Sequence, residues 1–373
     1  MPTTYHAEHV GSLLRPPELL LARQARKRGE MSDEELTRLE DSAALAAIEL
    51  QRAAGIEVFT DGEARRDTWM AGLLESLGGV SPIELPSTAW FRGDGEEVPP
   101  EETSWDMVAA TGKLTQKANS TAVEAGFLAR HAPGQYKITM MSASMGNLLW
   151  LPDVSGEAYP TPGDLLRDLL PLRVAEIEGL LERGVTWIQL DSLSYNHLID
   201  PGFRARVLGA AAPDPTTLLD LTVSIDAAQV RAAKQANPDV TVAMHICRGN
   251  NRSAWAAKGG YEPVAERLFG EVPVDRFLLE YDTERAGGFE PLRFVPQGTI
   301  VVLGLVSSKV PRLESQDELR RRIDEAAKYV PMENLALSPQ CGFASTARGN
   351  LLTVDEQRRK LELVVDTARM VWG

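Results

Sequence analysis

The sequence predicts an α/β fold, a single-domain (β/α)8 TIM barrel with a long insertion after its second strand. Three observations lead to this prediction. Short β-rich runs alternate with longer helical patterns, polar residues gather where the runs end, and 373 residues is a length that such barrels reach when their loops are long. Length alone does not distinguish one barrel from two domains, so the prediction depends on the first two observations.

Eight runs have the composition of short, buried strands. In a closed barrel the carboxyl ends of all eight strands meet at one mouth, where the loops build a site. An open doubly wound sheet is the competing prediction, but it would spread the polar run ends along an edge too wide for one site. The runs cover residues 6–12, 56–61, 137–142, 186–191, 240–246, 276–280, 299–306 and 335–338.

The longer patterns carry the signals of helix starts and stops. Apolar residues recur at helical spacing over 33–54, before Gly55, and a helix opened by Thr161 and Pro162 runs to residue 183 and stops at Gly184. Further helices are predicted over 215–236, after Gly260, over 315–329 and over 353–371.

Residues 78–134 interrupt the compact spacing. This segment predicts a two-stranded excursion with a Gly-Asp-Gly turn and then a helix before Lys137, with Trp90, Phe91 and Trp105 as its apolar anchors. A lid, a contact within a homo-oligomer and a decorative insertion are the alternatives for its role.

Composition and charge limit the kinds of molecule that the protein is expected to bind. The formal net charge is −14 and no basic stripe is present, which argues against a nucleic-acid or anionic-membrane surface and favours a small-molecule substrate. No targeting segment or long apolar stretch is evident, so a soluble, cytoplasmic protein is expected. The chain has two cysteines, far apart, which are better explained as free thiols or metal ligands than as a disulfide.

The two cysteines are part of the strongest chemical signal. Cys247 forms a His-x-Cys pair with His245, Cys341 follows the last predicted strand, and Glu280 closes a strand between them. Taken singly, each is better explained as a buried thiol, a hydrogen-bonded histidine or a solvated carboxylate. Together, at strand ends facing one mouth, they predict a zinc ion held by one nitrogen, two sulfurs and one oxygen.

Such a site predicts chemistry on a thiol. Two thiolates and a carboxylate leave zinc with a formal charge near minus one, which makes it a poor Lewis acid for hydrolysing water. The same charge keeps an additional thiolate electron-rich and nucleophilic, so the constellation favours alkylation of a thiol that displaces Glu280.

Carboxylates at the same mouth predict a pocket for an amino acid. Glu63 follows the second run and Asp191 ends the fourth, where they could hold an ammonium group. The turn that ends at Ser12 could present N–H groups and a hydroxyl to a carboxylate. Asp67, by contrast, is expected to cap a helix.

These motifs, taken in order, resemble those of the cobalamin-independent methionine synthase family, in particular its short single-barrel members. The resemblance covers nearly the whole chain and rests on HVGSLLRP, TDGEARRD, IQLDS, HICRGN, LEYD, GLVSSK followed by ESQDEL, and SPQCGFAS. It implies a barrel whose zinc activates homocysteine for methylation to methionine. By the same resemblance, the implied zinc ligands are His245, Cys247, Glu280 and Cys341, and the implied contacts of the amino acid are Ser12, Glu63 and Asp191.

Departures from the family pattern leave the methyl donor open. The full-length enzymes have two barrels and use a methyltetrahydropteroylpolyglutamate, whereas this chain resembles the catalytic half alone. Where the family has an Asp-x-His-Ser-Pro-Arg segment, this chain has Ser-Ser-Lys-Val-Pro-Arg at residues 307–312, so Lys309 stands at the histidine position. Where the family has Asp-Glu-Pro, this chain has Asp-Ser-Leu at residues 191–193. Lys309 could supply charge or a proton to a folate donor, whereas a corrinoid or sulfonium donor needs no acid. Arg15 and Arg248, in the matched motifs, are further candidate substrate contacts.

Three alternatives remain open. The nearest is an alkyltransferase that acts on another thiol. A decarboxylase of the uroporphyrinogen type shares the barrel but lacks the zinc residues, so His245, Cys247 and Cys341 argue against it. A non-enzymatic protein stabilised by a closed zinc site is the third, and the spare carboxylates at the mouth argue against it.

Overall fold

Two helices lie near the start of the described chain. The computed structural model describes residues 5–70, 76–83, 89–103, 107–209 and 214–373. Within these ranges α1 spans Pro17–Lys27 and α2 spans Asp33–Ala54. The bounds of α2 are those predicted from the sequence.

A capping box explains why α2 begins where it does. The Ser32 hydroxyl accepts a hydrogen bond from the backbone N–H of Glu35 (3.2 Å), and the Glu35 carboxylate accepts one from the N–H of Ser32 (2.9 Å). The helix ends at Gly55, whose φ of 86° is readily adopted by glycine.

The excursion contains two antiparallel strand pairs. Between β1 (Leu77–Ile83) and its partner lie the short strands β2 (Phe91–Arg92) and β3 (Glu96–Glu97), which form the predicted hairpin around Gly93 and Gly95. Trp105 lies outside the described residues. The hairpin is followed by α3 (Pro100–Thr103), then β4 (Met107–Gln116), which pairs with β1, and α4 (Thr121–His131).

Six further strands form one parallel sheet in which each strand neighbours the next in sequence. The predictions for the third to eighth strands are confirmed to within one residue at each end. The strands are β5 (Ile138–Met141), β6 (Trp187–Ser192), β7 (Thr241–Ile246), β8 (Arg276–Glu280), β9 (Ile300–Val306) and β10 (Leu335–Pro339).

Helices follow most of these strands, and every long helix that the sequence predicts is present. The predicted helix over 315–329 is shorter, because it ends at Ala326. The remaining α-helices are α5 (Pro152–Ser155), α6 (Pro162–Glu182), α7 (Asn196–Ile199), α8 (Pro201–Leu208), α9 (Pro215–Ala236), α10 (Glu262–Glu271), α11 (Gln316–Ala326) and α12 (Val354–Trp372). Short 3₁₀ helices span Ala143–Leu149, Glu284–Ala286, Glu290–Phe294 and Met332–Asn334.

The first two predicted strands are not regular strands, which corrects the prediction of eight. Each contributes one parallel bridge at an edge of the sheet, Ala7 to Leu337 and Phe59 to Tyr136. Side chains form hydrogen bonds with backbone groups that would otherwise pair with a neighbouring strand. Gln189 Nε2 donates to the carbonyl oxygen of Val10 (2.8 Å), and Gln51 bonds both the N–H and the carbonyl oxygen of Thr60 (2.9 Å each).

Both faces of the parallel sheet are buried, as is usual for parallel sheets. Leu279 and Leu303 belong to the large apolar cluster shared with the helices, whereas their neighbours Leu278 and Val302 pack on the other face in a cluster that includes Val10. A buried ion pair joins Glu8 to Lys137, the residue before β5 (2.8 Å). Side chains of the run 6–12 therefore pack against the second face. Among the described helices, none has the length and apolarity needed to span a bilayer.

Candidate metal centre and substrate cavity

The carboxyl ends of neighbouring strands bring the predicted site residues to one edge of the sheet. Asp191 of β6 is paired in register with His245 of β7, and Glu280 is the last residue of β8. Cys247 follows β7 directly, and Cys341 lies two residues beyond β10. Parallel pairing thus brings residues from the ends of four strands to the same space.

Three of the four predicted metal ligands form a cluster. The ligand atoms of His245, Cys247 and Cys341 all lie within 4.8 Å of one another, and all three residues are buried. Both cysteines are free thiols. One imidazole nitrogen and two sulfurs make up a donor set that zinc prefers.

The orientation of His245 fits a metal ligand. Its Nδ1 lies 3.2 Å from the carbonyl oxygen of Leu278, and because a carbonyl oxygen can only accept, Nδ1 carries the proton. Nε2 is buried and has no hydrogen-bond partner among the described residues. A backbone carbonyl that fixes the tautomer and leaves the second nitrogen free is the usual support of a metal-binding histidine.

The pKa values of the two thiols are shifted in opposite directions. A hydrogen bond with Cys247 lowers the pKa of the Cys341 thiol well below its usual range, with further contributions from His245. The same hydrogen bond, followed by burial, raises the pKa of Cys247 well above its usual range. The arrangement therefore favours a thiolate at Cys341.

Glu280 lies beside the cluster and is not one of its three members. Its Oε1 is 2.6 Å from Nη2 of Arg285, and its Oε2 accepts a hydrogen bond from the backbone N–H of Arg248 (2.7 Å). Burial alone would raise the pKa of Glu280, but the positive charges of Arg285, Lys309 and Arg248 lower it to about 2. Both carboxylate oxygens are thus engaged by the protein.

Arg285 is a site residue that sequence reasoning did not identify. It lies in a 3₁₀ helix after β8, five positions after Glu280, and its guanidinium stacks 5.1 Å from the ring centroid of Trp255. An arginine shortly after a buried carboxylate was the only available signal, and it is too common to stand out in a sequence.

The predicted amino-acid contacts Ser12, Glu63 and Asp191 line one cavity together with the three-residue cluster. Glu63 Oε1 accepts a hydrogen bond from the Thr139 hydroxyl (2.9 Å), while its buried Oε2 has no partner among the described residues. Burial raises the pKa of Asp191 to about 7, opposed by the charge of His245 and assisted by that of Glu63. Two acidic groups therefore stand beside the cluster.

Arg15 and Arg248 are not placed as expected for substrate contacts. The Arg15 guanidinium donates to the carbonyl oxygens of Glu63 (3.0 Å) and Ala344 (2.8 Å), so it joins two loops. The fully buried Arg248 side chain donates to the carbonyl oxygen of Gly259 (2.9 and 3.0 Å) and packs on the Tyr261 ring. Neither residue lines the cavity that the described residues form, because backbone carbonyls take up both guanidinium groups.

Lys309 is buried in the loop after β9, and its ammonium has no hydrogen-bond partner among the described residues. Its charge acts on Cys247, Cys341 and Glu280. The structure therefore brings the predicted lysine into the electrostatic environment of the cluster.

The cavity extends far beyond the cluster, to a volume of about 530 Å³. Its wall also includes apolar and aromatic side chains, among them Trp69, Trp90, Trp150 and Phe203. Asn147 and Asn196 line it as well, and all four polar atoms of their amides are buried without a partner among the described residues. Buried, unpaired amides are rare, and in a cavity wall they indicate a ligand.

The hairpin of the excursion forms part of this wall. Phe91 exchanges two backbone hydrogen bonds with Trp255 (2.8 Å each), and the two rings lie 4.9 Å apart. Trp90, next to it, is buried and lines the cavity. The predicted anchors Trp90 and Phe91 thus attach the excursion to the loop after Cys247.

Comparisons with known proteins agree with this arrangement. Residues 169–370 match the model described as the catalytic domain of the cobalamin-independent synthase. The uncharacterized protein YxjH of Bacillus subtilis (strain 168) is 38% identical over 371 residues, 99% of this chain and 95% of YxjH. The methionine synthase of Pyrococcus abyssi is 23% identical over 340 residues, 90% of this chain and 85% of that protein.

Solved structures show the same fold. A vitamin-B12-independent methionine synthase candidate from Listeria monocytogenes has a TM-score of 0.73 and 30% identity, covering 100% of this chain and 99% of that chain. A B12-independent methionine synthase from Shewanella sp. W3-18-1, solved with selenomethionine, has a TM-score of 0.72 and 19% identity, covering 99% and 98% of the two chains.

Proposed function

Because the chain belongs to the cobalamin-independent methionine synthase family, we propose that it is a zinc-dependent methyltransferase that converts homocysteine to methionine. The observation that carries this proposal is the buried cluster of His245, Cys247 and Cys341 in the wall of a large cavity. Family membership implies methyl transfer, while the choice of zinc and of homocysteine comes from the chemistry of the lining residues.

The donor set supports zinc. An unpartnered imidazole nitrogen beside two thiol sulfurs suits this ion, and three protein ligands leave a position for substrate. Zinc held there would bind the substrate sulfur as a thiolate and keep it nucleophilic. Glu280, the predicted fourth ligand, lies beside these three residues and is paired with Arg285 (2.6 Å).

The acceptor that we propose is an amino acid with a thiol side chain. Glu63 offers a free carboxylate oxygen, and Asp191 stands in the same cavity wall, so an ammonium group would find acidic partners near the cluster. Ser12 lines the same wall and is suited to the carboxylate end of the acceptor. A thiol without an ammonium group would leave the second carboxylate oxygen of Glu63 unpaired, which disfavours thiols of that kind.

The methyl donor would occupy the aromatic part of the cavity. A folate-type donor, with 5-methyltetrahydrofolate as the first candidate, leaves as an amine and needs a proton, for which Lys309 is our candidate because its buried ammonium has no hydrogen-bond partner among the described residues. A methyl-corrinoid or sulfonium donor would use the same space without this proton. The proposed partners are therefore small molecules, in a cytoplasmic enzyme.

We also propose that the whole chain is one catalytic domain, with 78–134 as an insertion in a closed (β/α)8 barrel. The two bridged segments support closure, because the N–H of Leu13 donates to the carbonyl oxygen of Gly62 (3.0 Å) and the Thr60 hydroxyl donates to that of Gly11 (2.8 Å). These contacts join the two edges of the six-stranded sheet.

The function is tested by supplying zinc-loaded protein with homocysteine and, separately, methyltetrahydrofolate, methylcobalamin or S-methylmethionine, and measuring methionine. Methionine from one of the donors is the expected result and identifies the donor. Cys247→Ala is the control and should lose both stoichiometric zinc and product. Absence of methionine with every donor, from protein that holds zinc and homocysteine, would refute the assignment.

A further inference from the structure

We propose that Asp226 is a positioning residue that holds Asn147 and Asn196 in the cavity wall, where the two amides bind an uncharged carboxamide or lactam group of the methyl donor. This subsite rests on the proposed function, which assigns the cavity to the donor, and it adds the chemistry that the donor brings. Asn147 and Asn196 belong to two different loops, and Asp226, on α9, forms hydrogen bonds with both loops.

Asp226 is a fully buried carboxylate that accepts hydrogen bonds from three hydroxyl groups. Its Oδ1 accepts one from Ser142, and its Oδ2 accepts one from Ser144 (3.1 Å) and one from Tyr195 (2.9 Å). Burial raises the pKa of Asp226 to about 6, and the three hydroxyl groups oppose this rise. At neutral pH these hydroxyls therefore hold a carboxylate, and the carboxylate in turn fixes the hydroxyls in place.

The three hydroxyl groups stand on the two loops that carry the amides. Ser142 and Ser144 lie at the start of the 3₁₀ helix after β5, which also contains Asn147. On the loop after β6, Tyr195 directly precedes Asn196. One carboxylate on α9 therefore fixes both amides relative to the same helix.

Uncharged contacts support this arrangement. The backbone N–H of Leu193, on the loop after β6, donates to the sulfur of Met145 (2.9 Å), so the two loops also contact each other. The backbone N–H of Ala143 donates to Gln229 (2.7 Å), which lies one turn after Asp226 on α9. These contacts keep each loop close to the helix, while Asp226 forms hydrogen bonds with both loops at once.

The amides themselves are left without partners. Asn147 and Asn196 line the cavity, and the oxygen and nitrogen atoms of their side chains are buried and unpaired among the described residues. The indole N–H of Trp90, in the same wall, is also buried and lacks a partner within the described ranges. Buried polar groups nearly always have a hydrogen-bond partner, so a bound molecule supplies the missing ones.

The unpaired atoms define the chemistry of this molecule. N–H groups outnumber carbonyl oxygens among them, since an amide brings both and an indole brings an N–H only. The matching ligand brings carbonyl acceptors together with at least one N–H, as a carboxamide or a lactam does. None of these side chains is charged, so a cationic sulfonium gains no ion pair from them. The pteridine ring of a folate and the carboxamide groups of a corrinoid share the required chemistry, whereas S-methylmethionine lacks it.

The experiment measures binding by calorimetry without turnover. The probes are 5-methyltetrahydrofolate, methylcobalamin and S-methylmethionine, each added to zinc-loaded protein in the absence of homocysteine. We expect one of the first two to bind the wild type more tightly than S-methylmethionine does, and the probe that binds identifies the source of the amide group. Asp226→Asn should weaken this probe roughly tenfold, the equivalent of about one hydrogen bond, and leave homocysteine affinity unchanged.

The double variant Asn147→Ala/Asn196→Ala separates positioning from a general effect on the fold. It should weaken the probe by roughly tenfold or more, and Asp226→Asn should weaken it no further in this background. A residue that only stabilises the fold would lower affinity by the same factor in both backgrounds. Tyr195→Phe removes one of the three hydrogen bonds and keeps the ring, so it replaces Asp226→Asn if that variant does not fold.

Glu176→Gln is the matched control. Glu176 is also a buried carboxylate that accepts a hydrogen bond from a hydroxyl, that of Thr121 (2.9 Å). Its hydroxyl partner belongs to α4 instead of either loop. This change should lower Tm and leave the affinity for every probe as in the wild type.

Three outcomes would overturn the inference. Wild-type affinity in Asn147→Ala/Asn196→Ala would show that the amides do not bind the donor. Wild-type affinity in folded Asp226→Asn or Tyr195→Phe, or an undiminished effect in the double-alanine background, would show that Asp226 has no positioning role. Tighter binding of S-methylmethionine, or no binding of either amide-bearing probe, would refute the ligand class. Absence of methionine from protein that binds a probe as expected would refute the proposed function alone.

Discussion

The side-chain amide of Asn250 donates a hydrogen bond of 2.7 Å to the carbonyl oxygen of Gly342. It also donates to the Ser345 hydroxyl (3.0 Å), so the loop after Cys247 is joined to the loop that carries Cys341. Gly342 approaches the first predicted strand so closely that a Cβ there would lie 2.0 Å from Ser12 Oγ. The spacing of the two sulfurs thus depends on contacts between loops far apart in sequence.

Asn250→Ala should therefore weaken metal binding more than it weakens the fold. We expect zinc affinity to fall by about tenfold, as for other residues that orient metal ligands, because the Cys341 loop loses its tie to the Cys247 loop. Chelator competition measures this effect, and thermal unfolding of the metal-free protein measures stability. Asn334→Ala, outside the site, is the control, and an equal zinc affinity in both variants would contradict the role of Asn250.

Asn147→Leu should stabilise the protein and impair use of the donor. The Asn147 amide is buried and unpaired in the described part of the chain, and such a group costs about 1–3 kcal/mol. An apolar side chain of similar size should raise Tm and also raise KM for the donor, with homocysteine affinity unchanged.

Asn350→Leu is the opposite case, because its buried amide is paired with the N–H of Ser253 (2.9 Å) and the carbonyl oxygen of Ser308 (2.7 Å). It should lower Tm. A drop in Tm for Asn147→Leu similar to that for Asn350→Leu would argue that Asn147 has a structural role.

Gly249→Ala should disturb the metal site by contact as well as by backbone strain. Gly249 has a φ of 88°, and a Cβ there would lie 3.0 Å from Ala256 and 3.1 Å from the Trp90 ring. Gly298 has nearly the same φ, 89°, but open space around it. We expect both alanine variants to lose about 1–3 kcal/mol from strain, and only Gly249→Ala to lose zinc affinity as well.

Thermal unfolding and zinc titration of the two glycine variants separate these effects. Equal losses of stability and unchanged zinc affinity in both would show that the packing of Trp90 against Gly249 does not matter to the site.

Stability should fall in acid through His197. Burial, aided by the charge of Arg204, lowers the pKa of His197 to about 4. Below the ordinary histidine pKa of about 6.5 the unfolded chain binds a proton that the folded chain does not, so stability is lost as pH falls from about 6.5 to about 4. The expected contribution is about 3 kcal/mol.

The measurement is Tm at a series of pH values for His197→Phe, which should flatten the acid side of the profile. His131→Phe is the control, because His131 is exposed. A wild-type slope in His197→Phe would show that other groups cause the acid sensitivity.

Much of the fold could be predicted because its signals are local. The bounds of α2 follow from a capping box and a terminal glycine, and six strands follow from apolar runs that end in polar residues. The first two runs were predicted as strands on the same grounds. Each of these runs forms only one bridge, because the side chains of Gln51 and Gln189 form hydrogen bonds with the backbone of residues 60 and 10, respectively. No local sequence pattern reveals these contacts.

By itself the sequence predicted the candidate ligand residues, since a His-x-Cys pair at one strand end and a cysteine after another are local chemical facts. Only the tertiary structure decided how they are arranged. It brought His245, Cys247 and Cys341 together, turned Arg15 and Arg248 onto backbone carbonyls, and set Arg285 against Glu280. The reason is that a buried charge must find a partner in three dimensions, and the nearest partner depends on how strands, loops and the hairpin pack.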